Sequence, residues 1–353
     1  MREGESSSAR IAATYIGTVV GAGFASGQEV LQFFGLLGPL GVPAIAVAIL
    51  GFLIFGFAVM EAGRVLRAPS HEPVMRGVAG RYISPFLDFA TTFFLFGALS
   101  AMISGSGSVL DQEFGIPWLA GSFLMALLTV VTVLFGLRGV VYAVSSVVPF
   151  LIMGVLIVSV AVLHTKGLTL GSPPPGYEPP VRNWVFAGSN YVSYNIIMAA
   201  PVLSALGGTT HSRKQVVKGA VLGSVGLGVG LLFVYLTIVS SFPEVVRYEV
   251  PLARLASEVF RIGKPLYTAV FLAEVYTTAV ANLYGFAARI TAPGSAAFRL
   301  ASIATTAVAL WAGSAGFSTL VRLVYPAVGW AGMLFLGTLA VYLVRAFIIR
   351  RKS

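Results

Sequence analysis

Long apolar runs recur along the whole chain, and they constrain the fold more than any other feature of the sequence. Each run holds about 20 residues, which is enough to cross the hydrocarbon core of a bilayer as an α-helix. The chain of 353 residues is 57% hydrophobic and 10% charged, whereas soluble proteins carry about 25% charged residues. The alternating apolar and polar segments of membrane β-barrels are not seen. The sequence therefore predicts an all-α integral membrane protein.

The apolar runs predict ten transmembrane helices, which are numbered here in chain order. Their predicted ranges are 9–36, 40–66, 82–111, 117–136, 139–164, 182–206, 214–241, 263–290, 298–313 and 317–348. We expect a single transmembrane domain over residues 1–353, with one five-helix repeat over 9–164 and a second over 182–349.

Two loops stand out between these helices. The stretch "GSPPPGYEPP" at 171–180 cannot be helical, because proline fixes φ and removes amide donors; it separates the first five helices from the second five. In the loop before helix 8, apolar residues recur at helical spacing from Leu252 to Ile262. That pattern predicts a short amphipathic helix lying on the membrane surface.

The distribution of basic residues predicts the orientation. With the N-terminus inside, 16 of the 23 Lys and Arg residues fall on the inner side, six fall on the outer side, and Arg322 lies within helix 10. This is the positive-inside pattern of a protein of the bacterial cytoplasmic membrane with both termini cytoplasmic.

The net charge of +10 is thus explained by the membrane topology and by attraction to anionic lipid, not by a nucleic acid partner. Two halves of five helices must then be inverted relative to each other, an architecture typical of transporters.

Helices 1 and 6 correspond in the two halves, and both carry polar residues or glycine in mid-span. Helix 1 contains "GTVVGAGFASGQE" (17–29) and helix 6 contains "AGSNYVSYN" (187–195). We expect both helices to be discontinuous, because an interrupted helix leaves backbone amides and carbonyls free to bind a ligand. The alternative is that the two GxxxG pairs in helix 1 serve close helix packing.

Helix 8 contains "FLAEVYTTAVANLYG" (271–285), in which Thr277 and Thr278 are adjacent and Glu274 precedes them by one turn. Adjacent hydroxyl groups suit Na⁺, which prefers oxygen ligands. The alternative is that each hydroxyl bonds to a carbonyl of its own helix or to a neighbouring helix. Glu274 is a candidate functional residue because ionisable side chains deep in a span are costly; it could bind a proton, balance a cation or pair with an arginine.

Other charged groups have less specific interpretations. Arg322 in helix 10 could pair with Glu29 or Asp111 as an outer gate, or form a static ion pair.

The three histidines are expected on the surface, and none has the spacing of a metal site. The chain has no cysteine, no triad signature and no Walker loop, so neither hydrolysis nor ATP-driven pumping is indicated and we do not expect an enzyme.

The segment "AATYIGTVVGAGFASGQEVLQFF" (12–34) resembles the first helix of the YkvI-type bacterial membrane proteins. The resemblance extends along the whole chain, and more distantly to the amino acid–polyamine–cation transporter superfamily. It implies the LeuT-like fold, in which ten helices form a five-plus-five inverted repeat and helices 1 and 6 are unwound at mid-membrane.

The same resemblance implies two binding sites. A sodium site between helices 1 and 8 falls by position on Gly17, Val20, Glu274, Thr277 and Thr278, where Glu274 departs from the small neutral residue that sodium-coupled relatives usually have. Proton coupling therefore stays open. The substrate site falls on four amides of helix 1, those of Gly21, Ala22, Gly23 and Phe24. It also falls on four residues of helix 6, namely Asn190, Tyr191, Ser193 and Tyr194. Glu29 is expected to belong to the outer half of helix 1, apart from that site.

These observations lead to a functional prediction. We expect a secondary active transporter of a small organic solute, an amino acid or a related compound, coupled to Na⁺ or H⁺ by alternating access. The alternative is a membrane receptor or sensor that has the same fold and does not transport. A membrane-embedded enzyme and a channel have less support.

Overall fold

The computed structural model describes residues 7–248, 251–260, 263–314, 328 and 331–345. These residues form helices and connecting loops, without a strand among them. Seven of the described helices are long and apolar enough to cross a membrane. Their bounds are Gly35–Leu66, His71–Asp111, Gly136–Lys166, Trp184–Thr209, Arg213–Val239, Pro265–Ile290 and Ala296–Gly313. Trp118–Leu134 and Ala331–Arg345 are shorter apolar helices, corresponding to helix 4 and to part of helix 10.

Helix 1 is built from three segments, Ser8–Val19, Ala22–Ser26 and Gln28–Phe33. Between the first two, Val20 and Gly21 are extended, with ψ angles of 112° and 179°. Between the second and third, Gly27 has φ of 80°, a left-handed conformation that glycine adopts without the steric cost that a Cβ brings. Helix 1 is therefore interrupted within the glycine-rich stretch.

Helix 2 contains a short π-helical turn, Phe52–Gly56, and helix 1 packs against it there. The fully buried Tyr15 donates a hydrogen bond from its hydroxyl to the Phe52 carbonyl at 2.6 Å. Gly56 gives the tyrosine ring room, because any Cβ at this position would overlap it. The contact joins the first segment of helix 1 to the middle of helix 2.

Helix 3 begins earlier than predicted. Its helical run starts at His71 and passes through Gly80, whose φ of 72° marks a kink. His71 is fully buried, so its expected place on the surface is wrong. Its Nε2 lies 3.2 Å from Asp88 Oδ1, and Arg289 of helix 8 makes two hydrogen bonds to the same carboxylate at 2.6 and 2.7 Å. These contacts fix the start of helix 3 to the end of helix 8.

Helix 6 is continuous from Trp184 to Thr209, so the prediction that it is unwound is wrong for this structure. Its polar side chains bond back to their own helix: Ser193 Oγ donates to the Asn190 carbonyl at 2.8 Å, and Asn195 Nδ2 donates to the Tyr191 carbonyl at 2.9 Å. Between Gly188 and Gly207 the helix has no glycine. Polar groups satisfied in this way do not require the backbone to open.

The amphipathic helix predicted before helix 8 is present as Pro251–Val259. Leu252, which is fully buried, packs directly against Gly27 of helix 1. At the far side of this short helix, Glu258 forms ion pairs with Lys166 at 3.0 Å and with Arg254 at 3.2 Å. The short helix thus covers the second bend of helix 1 and is tied to the end of helix 5.

Candidate functional site

The first interruption of helix 1 leaves backbone groups unpaired. Val20 N still donates to the Ile16 carbonyl at 2.7 Å, but among the described residues no backbone amide bonds to the carbonyls of Gly17 or Val20. The next segment starts where Ala25 N donates to the Gly21 carbonyl at 3.0 Å. The amides from Gly21 to Phe24, at the cap and in the first turn of this segment, have no helical acceptor. Carbonyls and amides are therefore both available at the same interruption.

Helix 8 faces this interruption. A methyl group at Gly21 would lie 3.9 Å from Thr278 Oγ1, and the first two segments of helix 1 both pack against helix 8. Gly17, by contrast, lies with its Cα against Val144 and Val148 of helix 5. The structure thus brings Gly21 to the helix 8 hydroxyls, and it supports a packing role for Gly17.

The three predicted helix 8 ligands are linked to one another. Thr277 Oγ1 donates to the Glu274 carbonyl at 3.0 Å, and Thr278 Oγ1 lies 3.5 Å from Glu274 Oε1. All three are buried, and Glu274 is fully so. The Thr277 hydroxyl therefore makes the back-bond to its own helix that the alternative interpretation predicted, while Thr278 points toward the carboxylate.

Glu274 has an unsatisfied acceptor. Its Oε2 is buried and accepts no hydrogen bond from a described residue. A charged carboxylate without a partner is very costly away from water, so such a group binds a proton or a cation. Among the described residues, two other buried polar atoms of helix 8 also lack a hydrogen-bond partner, the hydroxyl of Tyr267 and the amide nitrogen of Asn282. Sequence reasoning overlooked Tyr267, although its position seven residues before Glu274 places both on one face of the helix.

Glu29 is not apart from the predicted substrate site, as the sequence had suggested. Tyr194 of helix 6 donates a hydrogen bond to Glu29 Oε2, and the Glu29 carboxylate packs against Gly23 so closely that any Cβ there would overlap it. Both neighbours were assigned to the substrate site. The reason is the bend at Gly27, which turns the third segment of helix 1 so that its side chain reaches back over the second segment.

Aromatic rings surround the same position. Tyr191 lies 5.0 Å from Phe34, 5.4 Å from Phe33 and 5.6 Å from Tyr194, measured between ring centroids. Phe33 lies 5.8 Å from Tyr194. Helix 6 therefore contributes two tyrosine rings to the site beside the helix 1 bend. Its other candidates, Asn190 and Ser193, are bonded to each other, since the Ser193 hydroxyl donates to the Asn190 carbonyl.

The predicted gate is described only in part. Asp111 is exposed and its side chain forms no ion pair with a described residue. Arg322 lies outside the described residues, so its pairing with Glu29 or Asp111 stays a prediction.

Two relatives of the chain are proteins of Bacillus subtilis (strain 168). The membrane protein YkvI is 28% identical over 344 residues, which cover 96% of this chain and 97% of the relative. The protein YyaD is 28% identical over 335 residues, which cover 93% and 94% of the two chains. No family model matches the sequence.

Solved structures share the fold. The structure of MhsT in complex with L-phenylalanine has a TM-score of 0.66 at 17% identity, and covers 97% of this chain and 90% of its own. A Na⁺-coupled sialic acid symporter in a substrate-bound, outward-open state has a TM-score of 0.65 at 13% identity, and covers 95% and 79%. The chain is a homologue of YkvI and YyaD with the LeuT transporter fold. At these identities the solved structures establish the fold, and the sites of this homologue rest on its own residues.

Proposed function

We propose that the protein is a secondary active transporter of a small organic solute, an amino acid or a related compound, coupled to Na⁺ or H⁺. The observation that carries the proposal is the interrupted helix 1 against helix 8: Gly21 at the interruption faces Thr278, whose hydroxyl lies 3.5 Å from an oxygen of the fully buried Glu274. Transporters of this fold that bind solute or couple to sodium, such as MhsT and the sialic acid symporter, support it. The positive-inside pattern supports a cytoplasmic-membrane location with both termini inside.

The coupling ion would bind beside the interruption. The carbonyls of Gly17 and Val20 and the hydroxyl of Thr278 would serve as oxygen ligands for Na⁺, together with the carbonyl of Glu274 and the hydroxyl of Thr277. The orphaned Glu274 Oε2 gives the chain a second way to couple, because a carboxylate in this place can bind a proton instead. Either cation would neutralise a charge that is otherwise isolated from water.

The solute would bind next to the ion. The amides from Gly21 to Phe24 would face an anionic group, while Asn190, Ser193, Tyr191 and Tyr194 would contact the rest of the solute. Transport by alternating access would move helices 1, 2, 6 and 7 against helices 3, 4, 8 and 9. Residues Glu29, Asp111 and Arg322 remain the proposed outer gate, with Glu29 also reaching the solute site.

Uptake into proteoliposomes tests the proposal. Amino acids and amines would be offered under an imposed Na⁺ gradient, an imposed proton gradient or neither. Saturable accumulation that depends on one gradient is the expected result. Solute binding without uptake under either gradient would favour the receptor alternative and would overturn the transport proposal.

Two variants separate the coupling ions. Thr277→Ala with Thr278→Ala should abolish sodium-dependent uptake and any sodium-dependent rise in the unfolding temperature. The matched control is Thr305→Ala with Thr306→Ala, which removes an adjacent, buried hydroxyl pair from helix 9. Survival of sodium dependence in the helix 8 double variant would exclude the sodium site. Glu274→Gln should flatten the pH dependence of uptake if the proton is the coupling ion, and an unchanged profile would exclude that role.

A further inference from the structure

The loop between helices 2 and 3 contacts both of the halves that alternating access would move apart. At one end of the loop, the Ala68 backbone packs against Gly208 of helix 6 so closely that any Cβ at Gly208 would overlap the Ala68 carbonyl. At the other end, His71 is fully buried and contacts Asp88 of helix 3. Helix 6 belongs to one proposed half and helix 3 to the other. The two residues between Ala68 and His71 therefore bridge the halves.

Close backbone packing fastens the first end of this loop to helix 6. A Cβ at Gly63 of helix 2 would overlap the Ser204 carbonyl, and a Cβ at Gly207 would overlap the Met60 carbonyl. Helices 2 and 6 thus approach each other backbone to backbone just before the loop begins, which small residues allow. We expect Ala68 to move together with helices 2 and 6.

The contact of His71 is easier to break than its neighbours. Its Nε2 lies 3.2 Å from Asp88 Oδ1 and 3.5 Å from the hydroxyl of Thr92, whereas Arg289 holds the Asp88 carboxylate with two hydrogen bonds at 2.6 and 2.7 Å. Release of His71 therefore does not leave that carboxylate unpaired. The other ring nitrogen, Nδ1, is buried without a partner among the described residues, and water would satisfy it once the ring is released.

The loop begins with a strained residue and has space beside it. Arg67 has φ of 47° and ψ of 45°, a left-handed conformation that is costly for a residue with a Cβ. Among the described residues it is the one non-glycine with a positive φ. A cavity of about 540 Å³ lies between Pro69 and the end of helix 8, at residues 288–293. A released loop therefore has a strained residue to relax and space to move into.

We propose that residues 67–70 form a strap that holds the two halves together at the junction of helices 2 and 3, and that His71 is its detachable fastening. When the contact between His71 and Asp88 breaks, the strap follows helices 2 and 6, while Asp88 and Arg289 keep helices 3 and 8 together. The inference rests on the proposed function, because it assigns one contact that must break when the halves move apart.

The distance between two spin labels tests the strap. The chain has no cysteine, so Thr209→Cys at the end of helix 6 and Ala292→Cys after helix 8 provide unique labelling sites, and both residues are exposed. Double electron–electron resonance on the purified full-length protein then measures the separation of the two helix ends. We expect one short distance to dominate when the strap is otherwise native.

Variants of His71 locate the fastening. His71→Leu keeps the buried site filled and removes the hydrogen bond, so the ratio of long to short distances should rise about fivefold, the size of one lost hydrogen bond. His71→Gln should recover most of the native distribution, because its amide can still donate to Asp88. The control is His211→Ala, which changes an exposed residue between helices 6 and 7 and should leave the distances as they are. If His71→Leu does not fold, His71→Ala replaces it with the same expectation.

Three results would overturn the inference: His71→Leu has the native distance distribution, His71→Gln separates the ends as much as His71→Leu does, or His211→Ala separates them equally. These outcomes are distinct from failure of the proposed function. A separation that depends on His71, in a protein without gradient-driven uptake, would leave the strap standing and remove the transport proposal. Gradient-driven uptake by a protein whose distances do not respond to His71→Leu would do the reverse.

Discussion

Helices 1 and 6 occupy corresponding places in the predicted repeat, and both carry polar residues in mid-span, yet one is interrupted and the other is not. In helix 1, extended Val20 and Gly21 and left-handed Gly27 divide the chain. In helix 6, Ser193 and Asn195 return their polar atoms to carbonyls of the preceding turn. Polarity in a span therefore does not by itself open a helix.

The difference divides the chemistry of the site between the two helices. Helix 1 supplies backbone amides and carbonyls, which only an interrupted helix can offer. Helix 6 supplies side chains, namely the tyrosine rings and the hydroxyl that anchors Glu29. The largest expected effects therefore come from changes that would interrupt helix 6 or that would close the interruption of helix 1.

Proline substitutions should give the largest difference in stability between helix 1 and helix 6. Ala199→Pro removes an amide from the interior of continuous helix 6 and should cost about 3 kcal/mol or more. Ala22→Pro should cost about 1 kcal/mol or less, because Ala22 is the first residue of a segment and Gly21 before it is extended, as proline requires. Reversible unfolding in detergent measures both. Equal losses would mean that helix 1 is not interrupted there.

Gly17 and Gly21 distinguish packing from interruption. Gly17→Val should destabilise by about 1–3 kcal/mol, since the new side chain would overlap Val144 and Val148 and overpacked sites cost that much. Gly21→Ala is the matched control, with its nearest neighbour at 3.9 Å, and should change stability by about 0.5 kcal/mol or less. A large loss at Gly21 with none at Gly17 would reverse the assignment of the two glycines.

Gly27→Ala probes the second bend. An L-residue at φ of 80° costs about 1–2 kcal/mol, and a Cβ there would also press on Leu252. We expect the unfolding temperature to fall and the contact between Glu29 and Tyr194 to be lost, because the bend is what turns Glu29 toward Tyr194. An unaltered protein would show that the left-handed turn is not needed for that arrangement.

Ser193→Ala should have the smallest effect. The Asn190 carbonyl that accepts its hydroxyl also serves as a backbone acceptor in the helix, so the change leaves no buried group unpaired. We expect a loss of about 0.5 kcal/mol or less in the free energy of unfolding. A loss above 2 kcal/mol would mean that the hydroxyl holds helix 6 together in a way that the back-bond does not explain.

Much of this fold follows from hydropathy and glycine alone. The range predicted for helix 8, 263–290, matches Gly263–Ile290, and the amphipathic helix lies where its periodicity placed it. Helix 6 was mispredicted because its spacing cannot show whether a polar side chain faces a ligand or its own backbone. His71 was misplaced because its partner Asp88 is 17 positions away, and Arg289, which bonds the same carboxylate, lies 201 positions beyond Asp88, so these pairings leave no local pattern.

The position of Glu29 shows that sequence-based prediction has the same limit at the candidate functional site. If helix 1 continued without a break through Gly27, the Glu29 carboxylate would point away from Gly23. The left-handed conformation of Gly27 instead turns the Glu29 side chain toward Gly23. The clue was present in "ASGQE" (25–29), because glycine after a short helical segment commonly adopts that conformation. The contact with Tyr194 joins residues 165 positions apart, and no local signal predicts it.

The buried contact between Tyr15 and the π-turn of helix 2 has a mechanical consequence. If helix 1 tilted while helix 2 stayed in place, the hydroxyl and the Phe52 carbonyl would both be stranded in an apolar interior, at about 1–3 kcal/mol for each group. A joint tilt has no such penalty. A tilt of the first segment of helix 1 is therefore less costly when the middle of helix 2 moves with it, because the hydrogen bond is then kept.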